Sequence, residues 1–171
     1  NYKIEGSVKK ARLNILNKHK LKILNFNFYL KKDSYFLKKI DTKINNIKIT
    51  FPLIEITKNK NLFFVKGQFL NNKKNYDIEV LKPFFSDSFN NIDIREIEFG
   101  STNDFSFNVN RKLKFDNFKM DSVINLTELT FSVKKLKLKS YFPSFVEEIR
   151  LKNHKILIDY NKNKLNIKGK G

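Results

Sequence analysis

The amino-acid sequence predicts an all-β protein, an antiparallel meander of repeated hairpins curled into a groove-like, half-open sheet with little helix. Three observations carry this expectation. Apolar residues recur with period two, as in Leu24, Phe26, Phe28 and Leu30, in Phe105, Phe107 and Val109, and in Leu129, Phe131 and Val133. Polar segments rich in Asn and Lys separate these runs, and folding the chain about them sets apolar residues opposite one another. Three of the five glycines, Gly6, Gly67 and Gly169, close the same apolar-spacer-apolar-spacer-glycine pattern in YKIEGSV, FFVKGQF and LNIKGKG.

The elements follow in chain order. Near the start Val8, Ala11 and Ile15 fit one helical face, but Ala11, Leu13 and Ile15 also alternate, so a strand is expected. After the strand holding Phe26 and Phe28, a two-residue turn at Asn45-Asn46 would match Ile44 with Ile47 and Ile40 with Phe51. Asn suits that turn because it tolerates positive φ. A four-residue loop at 71–74 would place Phe69 opposite Tyr76, Gly67 opposite Ile78 and Val65 opposite Val80. In NIDIREIEF the apolar residues Ile92, Ile94, Ile97 and Phe99 change phase at Arg95-Glu96, which predicts a β-bulge. A three-residue loop at 110–112 would pair Val109 with Leu113 and Phe107 with Phe115. The stretch FPSFVEEI at 142–149 reads as a short helix or a loop, with Pro143 and Ser144 able to start a turn. With 161–164 as the last loop, Tyr160 faces Leu165, Ile158 faces Ile167 and Ile156 faces Gly169.

A glycine inside a strand costs roughly 0.5–1 kcal/mol relative to alanine, so its recurrence calls for a bulge, a bend, or close approach of another backbone or a ligand. Strands bent in series would curl the sheet into a trough. One face of that trough is Phe, Ile, Leu and Val, made bulky by the 18 phenylalanines, and the other is Lys, Asn, Asp and Thr. An antiparallel sheet with one wet face must cover the other, and helical segments to do so are scarce in this sequence. Either the sheet folds onto itself or a ligand covers it. Acyl chains suit such a surface, because each methylene removed from water is worth about 0.8 kcal/mol. The candidate lining residues are Phe26, Phe28, Val65, Phe69, Ile78, Phe105, Phe107, Val109, Phe131, Val133, Ile158 and Ile167.

The net charge of +18 raises the possibility of a nucleic-acid partner. Two features argue against it. Of the 35 basic residues only Arg12, Arg95, Arg111 and Arg150 carry the guanidinium fork that phosphate and base edges favour. The abundance of Asn, Ile, Phe and Lys beside a single alanine, Ala11, also matches a genome low in G and C. A basic surface able to lie against an anionic membrane remains. The chain lacks cysteine, which removes disulfide and thiolate chemistry. His19 and His154 stand among lysines without ligand partners at metal-site spacing. Glu147 and Glu148 point to opposite faces of a strand or diverge on a helix, and Asp93, Glu96 and Glu98 are accounted for by the bulge. There is no nucleophile elbow, P-loop or dinucleotide fingerprint, so the sequence predicts neither enzyme activity nor a cofactor.

The glycine-ended strands, the opening KIEGSVKKARLNIL and the tail YFPSFVEEIRLKNHKILIDYNKNKLNIKGKG resemble the AsmA-like superfamily of Gram-negative bacteria. The tail is most similar to the end of a YhdP-type middle region. The sequence departs from that pattern in carrying Lys and Asn where small residues are expected, and the amino-terminal anchor helix is not in this stretch. The resemblance implies long periplasmic proteins, anchored in the inner membrane, whose β-hairpin repeats form a groove that passes phospholipids toward the outer membrane. On that reading residues 1–171 are one β-repeat segment of a longer protein, continued by flanking repeats, and no catalytic residue is implied. Two other readings stand beside it. A closed β-sandwich scaffold or interaction domain would have a dry core. A lysine-rich nucleic-acid binder would gather on one patch the lysines that the sequence spreads from Lys3 to Lys170.

Overall fold

Period-two alternation makes each run extended, and the short polar connections return the chain alongside itself. The computed structural model of the protein, which describes residues 2–15, 19–44, 47–79, 92–133 and 148–170, accordingly contains nine strands. They are β1 (Ile4–Ile15), β2 (His19–Lys31), β3 (Ser34–Ile44), β4 (Ile47–Asn59), β5 (Leu62–Asn75), β6 (Ile92–Asn110), β7 (Phe115–Val133), β8 (Glu148–Asn161) and β9 (Lys164–Lys170). Every pair is antiparallel and the spatial order is the chain order, so the sheet is an uninterrupted meander. β1 and β9 lie at opposite edges, and the sheet stays open instead of closing into a barrel.

Several registers agree with the sequence. β3 pairs with β4 through Ile44↔Ile47 and Ile40↔Phe51, and β8 pairs with β9 through Tyr160↔Leu165, Ile158↔Ile167 and Ile156↔Gly169. The β8–β9 turn places Lys162 and Asn163 at φ of 49° and 60°, the two positive values a tight hairpin turn requires. The first element is a strand, and β6 shifts register between Ile94 and Glu96 as its change of phase predicts. Of the stretch 142–149, Glu148 and Ile149 open strand β8 and are neither helix nor loop, and residues 142–147 lie outside the described residues.

Two connections differ from expectation. Residues 71–74 are not a loop. β5 runs on to Asn75 by way of a register shift between Asn71 and Lys74, and it pairs with β6 through Val65↔Phe107, Gly67↔Phe105 and Asn71↔Ser101. The long β6 offers partners along all of β5, and this outweighs the turn preference of two asparagines. Gly67 therefore sits between Ile54 and Phe105, and Ile78 does not oppose it. Tyr76 leaves the strand, donates its N–H to the Ile97 carbonyl at 2.8 Å and lays its ring 4.7 Å from that of Phe99. The loop between β6 and β7 is also longer than expected, so Val109 meets Phe115. Asn110 builds it: its Oδ1 accepts from the N–H groups of Lys112 and Lys114 at 2.9 and 3.1 Å, and its carbonyl accepts from Leu113. The resulting shift is two residues, which preserves the faces.

Bulges line up across the first four strands. Lys10 and Lys39 hold positive φ of 54° and 52°, β2 shifts register around Asn25, and β4 does so at the segment containing Pro52. The Asn25 Oδ1 fixes the first of these by accepting the Lys10 N–H at 2.7 Å. β3 and β4 change phase together, since Leu37↔Ile54 and Ile40↔Phe51 are both pairs, and apolar residues stay on one side through the bend. Asn153, with φ of 55°, marks a second bend in β8.

Candidate functional site

Directly paired residues in an antiparallel sheet share a face, and the registers therefore trace one apolar surface from β1 to β9. One row across it is Gly6, Phe28, Leu37, Ile54, Gly67, Phe105, Met120, Tyr160 and Leu165. The next rows add Val8 and Phe26 on β1–β2, Phe69 on β5, and Ile158 and Ile167 on β8–β9. Val65, Phe107, Val109 and Phe131 share the same side. Of the candidate lining residues, then, all but two are placed on this face by backbone register and described side chains. Val133 pairs with Ile92 at the end of β7 without a described side chain, and Ile78 reaches the face from outside the strands instead of from opposite Gly67. Beyond the end of β5, Ile78 packs with Ile49, Ile97 and Phe99 against the small cluster of Ile47 and Tyr76.

Apart from Tyr76 and Ile78, which pack over Ile47, Ile49, Ile97 and Phe99, the surface has no second layer among the described residues. Strands make substantial contact with their sequence neighbours alone, and the buried apolar residues number six: Ile40, Ile47, Val65, Tyr76, Ile94 and Leu126. The phenylalanines of the face are half-buried by one another, while Phe115 at 59% and Ile167 at 61% are exposed. A continuous aromatic path crosses the face. Phe51 and Phe69 lie 5.8 Å apart, Phe69 and Phe105 6.2 Å, Phe105 and Phe107 5.9 Å, and Phe107 and Phe118 6.5 Å. Phe118 continues it to Tyr160 at 5.7 Å. Phe51, Phe118 and Tyr160 were not among the lining residues read from the sequence. Phe51 and Tyr160 were legible through their hairpin registers, whereas Phe118 is brought in by the register shift between Ser106 and Asn108.

Two of the recurrent glycines are seats for rings on this face. A methyl group at Gly6 would stand 2.6 Å from Phe28 Cζ, and one at Gly67 would stand 2.9 Å from both Phe105 Cζ and the Leu53 carbonyl oxygen. Gly169, opposite Ile156 on the edge strand, has nothing within 4 Å of that position. All are in extended backbone with negative φ, so their common property is the missing side chain.

A polar seam interrupts the apolar rows. Asn71, Asn103 and Ser122 are buried on the same face as the phenylalanines. Asn103 Nδ2 donates to Ser101 Oγ at 2.9 Å and to the Phe69 carbonyl at 3.3 Å, and the Tyr76 hydroxyl donates to Asn71 Oδ1. Burial pushes the Tyr76 phenol above its ordinary value, with the Asn71 bond opposing.

The other face is ionic. Lys66 pairs with Glu55 at 3.0 Å and Lys152 with Glu128 at 3.5 Å across neighbouring strands, and Glu148 takes both Arg95 and Arg150. Three aspartates, Asp104, Asp121 and Asp159, lie directly opposite one another on β6, β7 and β8. His154 Nδ1 contacts the Lys152 carbonyl oxygen at 2.8 Å, and the described residues contain no group of three or more acidic, His or Cys side chains arranged to hold a metal. Glu96, beside the register shift at Arg95, accepts from Asn75 Nδ2 at 3.0 Å. Comparison of the chain with protein-family models, with curated proteins and with solved structures gives no match.

Proposed function

We propose that the apolar face is a binding surface for lipid acyl chains and that the protein acts as a non-enzymatic segment of a phospholipid-conducting β-groove. The carrying observation is a nine-stranded sheet whose phenylalanine-rich face, apart from the part packed by Tyr76 and Ile78, has no covering layer among the described residues. At about 4.8 Å between strands, nine strands extend roughly 38 Å, longer than the ~15 Å that the chains of one leaflet occupy in a ~30 Å bilayer core. A chain of 16 carbons carried through water would cost roughly 12 kcal/mol, which contact with this face offsets. The ionic face keeps lysines available for headgroup phosphates near the rims, an attraction that salt weakens. The alternative of a closed sandwich requires a dry interior between two layers, and the open single sheet favours the groove over it. An AsmA-like place in the periplasm, anchored to the inner membrane and continued by flanking repeats, belongs to the same proposal.

The test is lipid loading. Native mass spectrometry of the protein after exposure to phospholipid is expected to show bound lipid, to lose it when Phe107→Asp or Phe131→Asp is introduced, and to retain most of it in rim-lysine variants. Equal loading of wild type and the aspartate variants would count against the groove.

A further inference from the structure

On the ionic face, where the β6–β7 hairpin approaches the β8–β9 turn, there is a cleft of about 580 Å³. Its floor can be traced by register, since Phe64 pairs with Asn108, Ser106 pairs with Lys119 and Lys119 pairs with Asn161. These residues share the side of the sheet opposite the phenylalanine path, while Phe118 of that path also lines the cleft, so the cleft adjoins the acyl-chain surface at its Phe118 end. Its size falls within the range of about 300–1,000 Å³ typical of small-molecule sites.

The chemistry of the lining is narrow. Asn108, Asn117, Asn161 and Asn163 converge on it from three strands and a turn, with Ser106 beside them. Each amide offers one acceptor and two donors, and a serine hydroxyl offers both functions. Asn161 Oδ1 is enclosed and has no hydrogen-bond donor among the described residues, which leaves an unsatisfied acceptor beside the cleft. The backbone holds its neighbours in unusual conformations, with Asn117, Lys162 and Asn163 at φ of 51°, 49° and 60°. The Tyr160 hydroxyl also fixes Asn163 by donating to its Oδ1 at 3.1 Å. Phe64 presents a ring that is 42% exposed, and Lys119 and Lys162 add cationic donors. The lining contains no carboxylate, which argues against a cation. It contains no arginine either, which argues against a site built for phosphate alone.

We propose that this cleft binds a saccharide unit. Vicinal hydroxyls, each both donor and acceptor, match paired donor and acceptor atoms of the asparagine amides. The Phe64 ring supplies a flat apolar surface for the C–H side of a pyranose. The lysines allow a carboxylated sugar as well as a neutral one.

Saturation-transfer difference NMR on the protein tests this, with maltotriose, chitotriose and trigalacturonate as neutral, N-acetylated and acidic probes. Transfer to the ring protons of at least one probe is expected, together with its loss in Phe64→Ala and in Asn161→Ala. Phe64 is on the surface, so its variant keeps the fold, which far-UV circular dichroism verifies. The Phe26→Asp variant, changed on the phenylalanine face at β2 away from the cleft, is expected to retain the signal. Absence of transfer for all three probes overturns the proposal. So does transfer undiminished in both cleft variants, or complete displacement by inorganic phosphate.

Discussion

Gly67 and Gly169 end the same five-residue pattern yet meet different surroundings, and their substitutions separate the two. At Gly67 an added methyl group would collide with the Leu53 carbonyl, a backbone atom that cannot swing away, as well as with the Phe105 ring. Gly67→Ala is expected to destabilise the protein by roughly 1–3 kcal/mol, the usual cost of overpacking. At Gly169 the position is open and φ is compatible, so Gly169→Ala is expected to be neutral or to stabilise by up to about 1 kcal/mol through the unfolded chain. Urea denaturation of the two variants reads the difference, and equal midpoints would reject the ring-seat account. The pattern of glycines was legible in the sequence. Which of them lies beneath a ring was not, because Phe28 and Phe105 reach Gly6 and Gly67 through cross-strand pairing.

At the scale of the strands, the sheet carries a like-charge row in a chain whose net charge is strongly positive. Asp104, Asp121 and Asp159 stand opposite one another, with Gln68 donating to Asp104 at 2.9 Å and Asn166 to Asp159 at 3.0 Å. Desolvation, followed by the hydrogen bond and charge of Asp159 and the charge of Asp104, pushes the Asp121 carboxyl above its ordinary value, and Lys119 opposes. Because the folded value lies above the unfolded one, the folded state binds the proton more tightly. The penalty is absent below the usual carboxylate range and develops as pH rises through the folded value. Asp121→Asn is therefore expected to stabilise the protein at neutral pH by roughly 0.2–1 kcal/mol, toward the lower end because the group faces solvent, and to confer nothing near pH 3. Denaturation midpoints at the two pH values check this, and a gain that persists in acid would rule out charge repulsion as its cause. Strand pairing also explains what was readable in sequence. The hairpin expectations about 45–46 and 161–164 are local, and the registers they imply are those of β3–β4 and β8–β9, whereas the pairing of β5 with β6 spans the segment 76–91 and overrode an attractive local hairpin.

At the scale of the molecule, an open sheet buries little of its apolar surface on folding. With six buried apolar residues among those described, the heat-capacity change of unfolding is expected to fall below the ~12–15 cal/mol/K per residue of ordinary globular domains. Differential scanning calorimetry measures it, and a value at or above that range would mean the phenylalanine face is covered in solution. Saturating phospholipid is expected to raise the transition temperature, since lipid bound to the folded state stabilises it by mass action.

The sequence by itself determined the fold class, the segregation of Phe and Ile from Lys and Asp, the strand at the amino terminus and the bulge at Arg95. All of these follow from side-chain alternation, which is a local property of the pleat. Tertiary structure alone decided that β5 continues past Asn71, that rings lie over Gly6 and Gly67, and that four asparagines gather in a cleft by the β8–β9 turn. Those outcomes depend on which strands become neighbours. Period-two alternation sets the face on which a side chain stands, but the choice of partner among strands of equal pattern rests on summed pairing along their whole length.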